Sequence, residues 1–146
     1  MKKVKANKEF DQILEQAKIN FVKGGGDFYC ILNPTDKIKM AAIEADPENI
    51  CRIKNPSEKM QLLAVKSKPN TIRYIINPTT KVKTETVKNN PNCLKYIKNP
   101  TNKLIMMALE LNGYDLSILV NVNIDSLTEK SKKIIVQNSV IKDIIQ

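Results

Sequence analysis

The feature that most constrains this chain is a repeat of 22 residues, in which every unit carries an Asn-Pro pair. The motif stands as NPTDK at position 33, NPSEK at 55, NPTTK at 77 and NPTNK at 99. A chain that repeats at so short a period folds as a stack of similar units, because one unit alone is too small to bury its apolar face. The period therefore predicts a solenoid.

Two blocks of apolar residues recur in every unit, and both have helical spacing. Ile38, Ala42 and Ile43 begin the first series, and Phe28 and Ile31 begin the second, each with equivalents every 22 residues. Offsets of three to five match one face of a helix and not the alternation of a strand. Each unit is therefore predicted to be a helical hairpin, with helices of about 11 and about 8 residues, roughly 16 Å and 12 Å long. One unit departs from the pattern at Thr84, Glu85 and Thr86, and is either an imperfectly packed copy or an open face that is used.

The Asn-Pro pair predicts where the first helix of each unit starts. Asparagine is a preferred N-cap, and proline suits the first helical position. Asp36 and Glu58 follow the asparagine by three residues, where a capping box and the helix dipole favour an acid. The second helices are predicted to start at Pro47, Pro69 and Pro91, with Asp46 and Asn90 as caps and Asn112-Gly113 replacing the pair in the last copy.

The predicted fold class is all-α, a short α-solenoid of stacked helical hairpins with capping helices at both ends. Residues 1–24 are an N-terminal capping helix and a Gly-rich, flexible joint, residues 25–120 are four hairpin repeats, and residues 121–146 are C-terminal capping helices. The first cap has Phe10, Ile13, Leu14, Ala17 and Phe21 at helical spacing. The last carries Ile134, Ile135, Val140, Ile141, Ile144 and Ile145.

Units such as ICRIKNPSEKMQLLAV and CLKYIKNPTNKLIMMAL resemble the short helical repeats of bacteriophages, large DNA viruses and low-G+C bacteria. They are similar, more distantly, to leucine-rich-repeat-variant solenoids. The resemblance covers residues 25–120 and implies an architecture without an activity. The resemblance to phage repeats implies a protein that acts in the host cytosol and inhibits or redirects a host factor, such as a defence protein. Some variant solenoids hold an iron-sulfur cluster, but this chain lacks the cysteine cluster for one, and no cofactor is expected.

Composition excludes several kinds of chemistry. The chain has no histidine, and Cys30, Cys51 and Cys93 have no close spacing, which excludes a histidine-containing zinc site, a disulfide framework and nucleophile–histidine catalysis. GGGDFYC lacks the later glycine and lysine of a phosphate-binding loop. No uncharged apolar run approaches the roughly 20 residues that cross a bilayer. We expect a cytoplasmic protein that is not an enzyme, with no catalytic residues, metal site, small-molecule substrate or membrane contact.

Positive charge is concentrated in the middle of the chain. Residues 47–112 hold twelve basic and four acidic residues, close to the whole net charge of +9. All but two of the basic residues are lysine, which disfavours recognition that needs bidentate guanidinium groups. One series stands where the helix dipole disfavours a cation. Duplication, a lysine stem covering the seam between repeats and contact with an anionic partner remain alternative explanations. We call Lys37, Lys59, Lys81 and Lys103 the lysine ladder.

A second basic series is interleaved with aromatic residues. Such a pattern could hold a nucleic-acid strand by charge and stacking, or its tyrosines could be half-buried between repeats. Two functional hypotheses follow: a protein-binding solenoid with an acidic protein partner, and a protein that contacts the DNA or RNA backbone through its lysine-rich middle repeats. The candidate residues of this series are Arg52, Lys54, Arg73, Tyr74, Lys95, Tyr96 and Lys98.

Overall fold

A computed structural model of the chain describes residues 2–145 and the side chains of residues 7–138, and within these residues all regular secondary structure is helical. The α-helices are α1 (Lys2–Lys23), α2 (Asp36–Ala45), α3 (Glu58–Ser67), α4 (Thr80–Asn89), α5 (Asn102–Leu111) and α6 (Glu129–Ile145). The 3-10 helices are Phe28–Cys30, Pro47–Arg52, Pro69–Tyr74, Pro91–Tyr96, Leu116–Leu119 and Ile124–Ser126.

The helices form two layers that follow the order of the chain. Helices α1 to α5 pack each against the next, and the 3-10 helices from Pro47–Arg52 to Leu116–Leu119 pack in the same order beside them. Each α-helix from α3 to α5 also contacts the 3-10 helix that precedes it. The predicted all-α solenoid is confirmed.

The core lies between the two layers and is built from the repeated apolar positions. In the first unit Ile38, Ala42 and Ile43 are buried, and Ile50 and Ile53 of the next 3-10 segment are buried with them. Helices of ten residues are marginal by themselves in water, so this shared core is what holds them. In the unit that departs from the pattern, Thr86 is fully buried and its hydroxyl donates to the carbonyl of Val82 at 2.8 Å. In the last copy Leu116 is exposed, and Ile118 is buried beside Leu119.

The predicted helix starts were wrong by two residues. Each α-helix of the repeats is capped by the serine or threonine that follows the proline, and its hydroxyl accepts the N–H of the residue three positions on at 3.3–3.4 Å. Asn33, Asn55 and Asn99 have left-handed φ angles of 49°, 53° and 48°. Asparagine tolerates this region better than most residues. Asn-Pro is therefore a turn that precedes the cap. The capping residues are Thr35, Ser57, Thr79 and Thr101.

Two details of the predicted helix starts change with this correction. Asp36 and Glu58 are the first residues of α2 and α3 and not the third, so they cannot complete a capping box with the asparagine. The helix dipole still favours an acid at the first position. The caps predicted at Asp46 and Asn90 are confirmed, since each carboxyl or amide oxygen accepts a backbone N–H two residues on at 3.0 Å.

The second helices start at the predicted prolines but are six-residue 3-10 helices, shorter than the predicted eight residues. Each of them ends at an extended isoleucine, and the Asn-Pro pair that begins two residues later keeps the chain out of the helical region. In the last copy Asn112-Gly113 ends α5, and Asp115 caps the following 3-10 helix by accepting the N–H of Ser117 at 2.9 Å.

The three glycines after α1 form a hydrogen-bonded helix end. Gly26 donates to the carbonyl of Phe21 at 2.9 Å and Gly25 to that of Val22 at 3.2 Å, the pattern of a Schellman motif. Gly25 has a φ of 88°, and a Cβ on Gly26 would lie 2.5 Å from the Phe21 ring. In the C-terminal helix Ile135 is buried and Ile134 half-buried. Val140, Ile141, Ile144 and Ile145 lie outside the described side chains.

Candidate binding surface

The lysine ladder occupies the second position of each α-helix from α2 to α5. Lys37 lies 3.0 Å from the carboxylate of Glu15 on α1, and Lys81 lies 3.8 Å from that of Glu58 on α3. Each of these two ion pairs crosses from one helix to the helix before it. Half of the ladder is thus neutralised within the solenoid.

Two side chains of the first repeat hold the carboxylate of Glu15, the residue that pairs with Lys37 of the lysine ladder. It accepts a hydrogen bond from the hydroxyl of Thr35 at 2.6 Å and another from the ammonium of Lys37 at 3.0 Å. These two bonds, that of Thr35 first, lower the pKa of Glu15 below its ordinary value. Glu15 therefore ties α1 to the N-terminal end of α2.

Lys59 and Lys103 have no ion-pair partner among the described side chains, but they do not share one groove. Lys59 borders a groove of about 430 Å³ beside Lys37 and Asp36. Lys103 borders a second one, of about 190 Å³, between α4 and α5. The ladder is therefore a periodic series of lysines without a continuous groove beneath it.

The two arginines lie in the 3-10 layer and are already paired. Arg52 lies 2.8 Å from the carboxylate of Asp27, and its guanidinium stacks 4.0 Å from the ring centre of Tyr29. Arg73 lies 3.6 Å from the carboxylate of Glu48, so each arginine meets an acid of the preceding repeat. The charge of each guanidinium is thus partly offset by a carboxylate of the preceding repeat.

The tyrosines of the second basic series, Tyr74 and Tyr96, each lie beside a cationic side chain. Arg73 donates a hydrogen bond to the hydroxyl of Tyr74 at 2.6 Å. This bond is the largest of the effects that raise the pKa of Arg73. Lys95 lies 5.2 Å from the ring centre of Tyr96. Tyr96 is half-buried against the core, whereas Tyr74 is just exposed. The aromatic rings thus brace their own repeats, and only part of each faces solvent.

Three grooves follow one another where the 3-10 helices lead into the Asn-Pro turns, and we call this surface the turn face. Their volumes are about 260, 540 and 410 Å³ in chain order. No ladder lysine lines any of them. The candidate residues on their walls are Arg52 and Lys54 in the first groove, Arg52, Lys54 and Tyr74 in the second, and Arg73, Tyr96 and Lys98 in the third.

An exposed series of residues, one in each unit and 22 residues apart, crosses the turn face. Its three middle members line the grooves, whereas Leu32 and Val120 are not among the lining residues. It alternates apolar and basic side chains, and the apolar members Leu32, Ile76 and Val120 are 84%, 88% and 76% exposed. Lys54 and Lys98 are exposed too, and neither has an ion-pair partner among the described side chains. We call these five residues the edge column. The apolar members lie about 18 Å apart, with a lysine between each pair, so the edge column is a periodic series of exposed side chains and not one continuous apolar patch.

The α-helical wall of each groove carries one polar side chain at equivalent positions, Lys39, Gln61 and Lys83. Gln61 is 7% exposed and donates through Nε2 to the carbonyl of Pro56 at 2.9 Å. Its Oε1 is buried and has no hydrogen-bond partner. An unpaired buried acceptor is costly. Because this oxygen is itself buried, a donor group in the groove reaches it only when the Gln61 side chain turns toward the groove.

Sequence reasoning identified six residues of the turn face but missed the others. The six are Arg52, Lys54, Arg73, Tyr74, Tyr96 and Lys98. The edge column was visible as a position of the repeat, since its members directly precede the asparagine of four units or its equivalent. The series at Lys39, Gln61 and Lys83 has the same period. Nothing in the sequence predicted that Asp27 and Glu48 would form ion pairs with the two arginines.

Among the described residues, no helix combines the length and apolar character needed to span a bilayer. The same part of the chain contains no group of three or more His, Cys, Asp or Glu residues that could hold a metal ion. The geometry defines a short α-solenoid with a grooved and partly apolar face. No protein-family model, no curated protein and no solved structure matches the chain.

Proposed function

We propose that the chain is a non-enzymatic protein-binding repeat protein whose turn face holds an extended segment of a partner protein, rich in acidic and apolar residues. The edge column carries this proposal. Its alternation of aliphatic side chains with unpaired lysines is complementary to an extended segment that presents an apolar and an acidic side chain in turn, one about every three residues. Repeat proteins characteristically bind along such an extended surface.

The same column disfavours a nucleic acid as the occupant. A strand of DNA or RNA needs cations along its phosphates and flat rings for its bases. Here the aliphatic Leu32, Ile76 and Val120 separate the free lysines, and both arginines are engaged with acids. Binding of phosphates by the lysine-rich middle repeats stays as the alternative outcome of the test below.

The geometry sets the length of the segment. Stacked helices lie about 8–10 Å apart, so the edge column spans roughly 36 Å over its four steps. An extended chain advances about 3.3 Å per residue, and about 11 residues cover that distance. Backbone N–H groups of such a segment point sideways along its length. One of them supplies the donor that Gln61 Oε1 lacks when the Gln61 side chain turns toward the groove.

The biological setting of the proposal comes from the resemblance of the repeats to those of phages and large DNA viruses. We place the chain in the cytosol of an infected host, where occupation of an acidic segment would inhibit or redirect the host protein that carries it, such as a defence factor. The basic face suits such a role because many cytosolic proteins carry acidic segments. This step rests on the resemblance, whereas the binding mode rests on the turn face.

The test is a pull-down from the natural host's lysate, with and without nuclease, using two matched double variants. Lys54→Ala/Lys98→Ala removes the free cations of the edge column. Lys59→Ala/Lys103→Ala removes the same number of unpaired lysines from the ladder. A protein partner that survives nuclease, is lost with the first variant and is retained by the second is the expected result. Both variants change exposed side chains, so the fold is expected to be unaffected.

A third variant separates apolar recognition from charge. Ile76→Glu places an acid in the middle of the edge column, while Leu111→Glu changes an equally apolar, exposed residue outside the three grooves. Only Ile76→Glu should abolish capture. Recovery of nucleic acid alone would establish the alternative function, and equal weakening by both lysine pairs would show non-specific charge attraction. No capture that depends on the turn face would refute the proposal.

A further inference from the structure

The outer face of α1 carries an apolar stripe that nothing in the described part of the chain covers. Phe10 and Ile13 are 64% and 63% exposed, and Leu14, Ala17 and Phe21 are exposed as well. These five residues, which we call the α1 stripe, lie along about 16 Å of the helix. Terminal units of a solenoid normally present a polar outer face. This one does not.

Helix α1 packs on α2 with its opposite face. Val22 is buried, Ile19 is half-buried against the core, and Glu15 bonds to Thr35. At about 100° per residue, Ile19 lies about 180° around the helix from the centre of the stripe. The stripe is therefore not a loosely packed part of the α1–α2 contact. It is a second face of the helix.

The stripe and its flank are self-complementary in the antiparallel sense. Aromatic rings stand at both ends, Phe10 and Phe21, and the small Ala17 follows Leu14 near the centre. On one flank lie Asp11 and Lys18, and neither has an ion-pair partner among the described side chains. They are seven residues apart, about 10 Å along the helix, which is too far for a pair within one chain.

We infer that α1 is the dimerisation element of this protein, pairing antiparallel with α1 of a second copy about a two-fold axis near residues 14 and 15. In this arrangement Asp11 faces the partner's Lys18, and Lys18 faces the partner's Asp11. Phe10 lies against the partner's Ala17 and Phe21, and the two Leu14 side chains meet at the axis. A two-fold interface of this kind closes on itself and leaves the turn faces of both copies free.

The size of the stripe suits an interface at the lower end of the specific range. With about 200 Å² for a large apolar side chain, the exposed fractions amount to about 400 Å² per protomer. Two such stripes contribute about 800 Å², so their polar flanks must supply about 400 Å² more to reach the low end for a specific complex. The described flanks of the stripe carry two acids, Glu9 and Asp11, and one base, Lys18. An anionic lipid surface would not attract this net negative charge.

Sedimentation equilibrium of the full chain, over about a hundredfold range of concentration, tests the inference. The mass is expected to rise from the 16.5 kDa of one chain to twice that value. Leu14→Asp places two like charges at the axis and should weaken the dimer at least about 100-fold. Gln12→Asp adds the same charge to an exposed position off the stripe and should leave the mass unchanged. Far-UV circular dichroism checks that both variants stay helical.

Charge reversal tests the antiparallel register. Asp11→Lys and Lys18→Asp should each weaken the dimer, and the two reversals together should restore it, because the pair is re-formed across the axis with its signs exchanged. A chain that stays monomeric, open-ended growth beyond the dimer, or a double reversal without recovery would overturn the inference. So would binding of the monomer to phosphatidylserine vesicles that Leu14→Asp abolishes.

Discussion

Replacing Ser57 by alanine removes the N-cap of α3 and tests where the helices of this solenoid begin. The Ser57 hydroxyl accepts the N–H of Met60 at 3.4 Å, from an extended backbone with φ −62° and ψ 157°. Loss of a serine cap costs about 0.5–2 kcal/mol, and the long hydrogen bond favours the lower half of this range. We expect a loss of about 0.5–1 kcal/mol in the free energy of unfolding.

The matched control is Ser67→Ala at the other end of the same helix. Ser67 is exposed and makes no side-chain hydrogen bond among the described residues. This change should leave the free energy of unfolding unaltered or raise it by about 0.5 kcal/mol through helix propensity. The assay is urea denaturation followed by circular dichroism, with equal slopes for all three proteins as the sign that the same unit unfolds.

The two assignments of the helix start predict different results. If Asn55 were the cap, Ser57 would be an ordinary residue of the first turn, and its replacement by alanine would act like that of Ser67. Thermal midpoints separate the cases as well, since about 1 kcal/mol moves the midpoint of a chain this size by about 3 °C. Equal stability of the two variants would refute the capping role of Ser57.

Three further predictions concern the thiols, a carboxylate and a turn. Burial raises the pKa of Cys93 to about 11. Its alkylation at pH 8, followed by peptide mapping, should therefore be at least about 100-fold slower than that of the two exposed cysteines. Equal rates of alkylation would contradict the burial of Cys93. The pKa of Glu15 is lowered in the folded state, so its stabilisation is complete above the ordinary pKa of about 4.3 and is lost as the pH falls through the folded value. Glu15→Gln should therefore reduce stability at pH 7 and have little effect at pH 3 in urea titrations, and a loss independent of pH would count against the hydrogen bonds of that carboxylate. Gly25→Ala forces an L-residue to a φ of 88° and should cost about 1–2 kcal/mol in the same assay, whereas an unchanged stability would mean that the turn rearranges.

The period of the repeat predicted the solenoid, and the core followed from it. Positions such as Ile38, Ile50 and Val65 are apolar at one place in each unit, and a position that is apolar in every copy of a stack faces the neighbouring copies. The helix starts did not follow, because Asn-Pro-Ser/Thr contains two good capping residues. The short 3-10 helix ends at an extended residue such as Ile53, and the chain must then reverse. The asparagine makes that reversal, which leaves the cap to the hydroxyl.

Less of the binding surface could be predicted, for reasons of pairing and exposure. The ladder was visible as a series, but whether each lysine is free depends on acids one helix away, and Glu15 lies outside the repeat altogether. Leu32 and Ile76 are residue types that usually belong to a core. Only Lys54 and Lys98, which occupy the same position in other repeats, indicated that this position faces solvent. Apolar residues of a repeat are usually buried, so sequence reasoning leaves such positions in the core.

The differences between repeats carry more information about the partner than their similarities. A ladder of identical lysines follows from duplication alone, and a surface that repeats without change would suit a partner that repeats with it. The turn face does not repeat in this way, since its α-helical wall changes from Lys39 to Gln61 to Lys83. The unpaired Oε1 occurs in the middle groove only, among the described residues. In the proposed binding mode, the middle groove therefore sets the register of the partner segment. Gln61→Met, which removes the acceptor at similar volume, should weaken binding there while leaving the two flanking grooves intact.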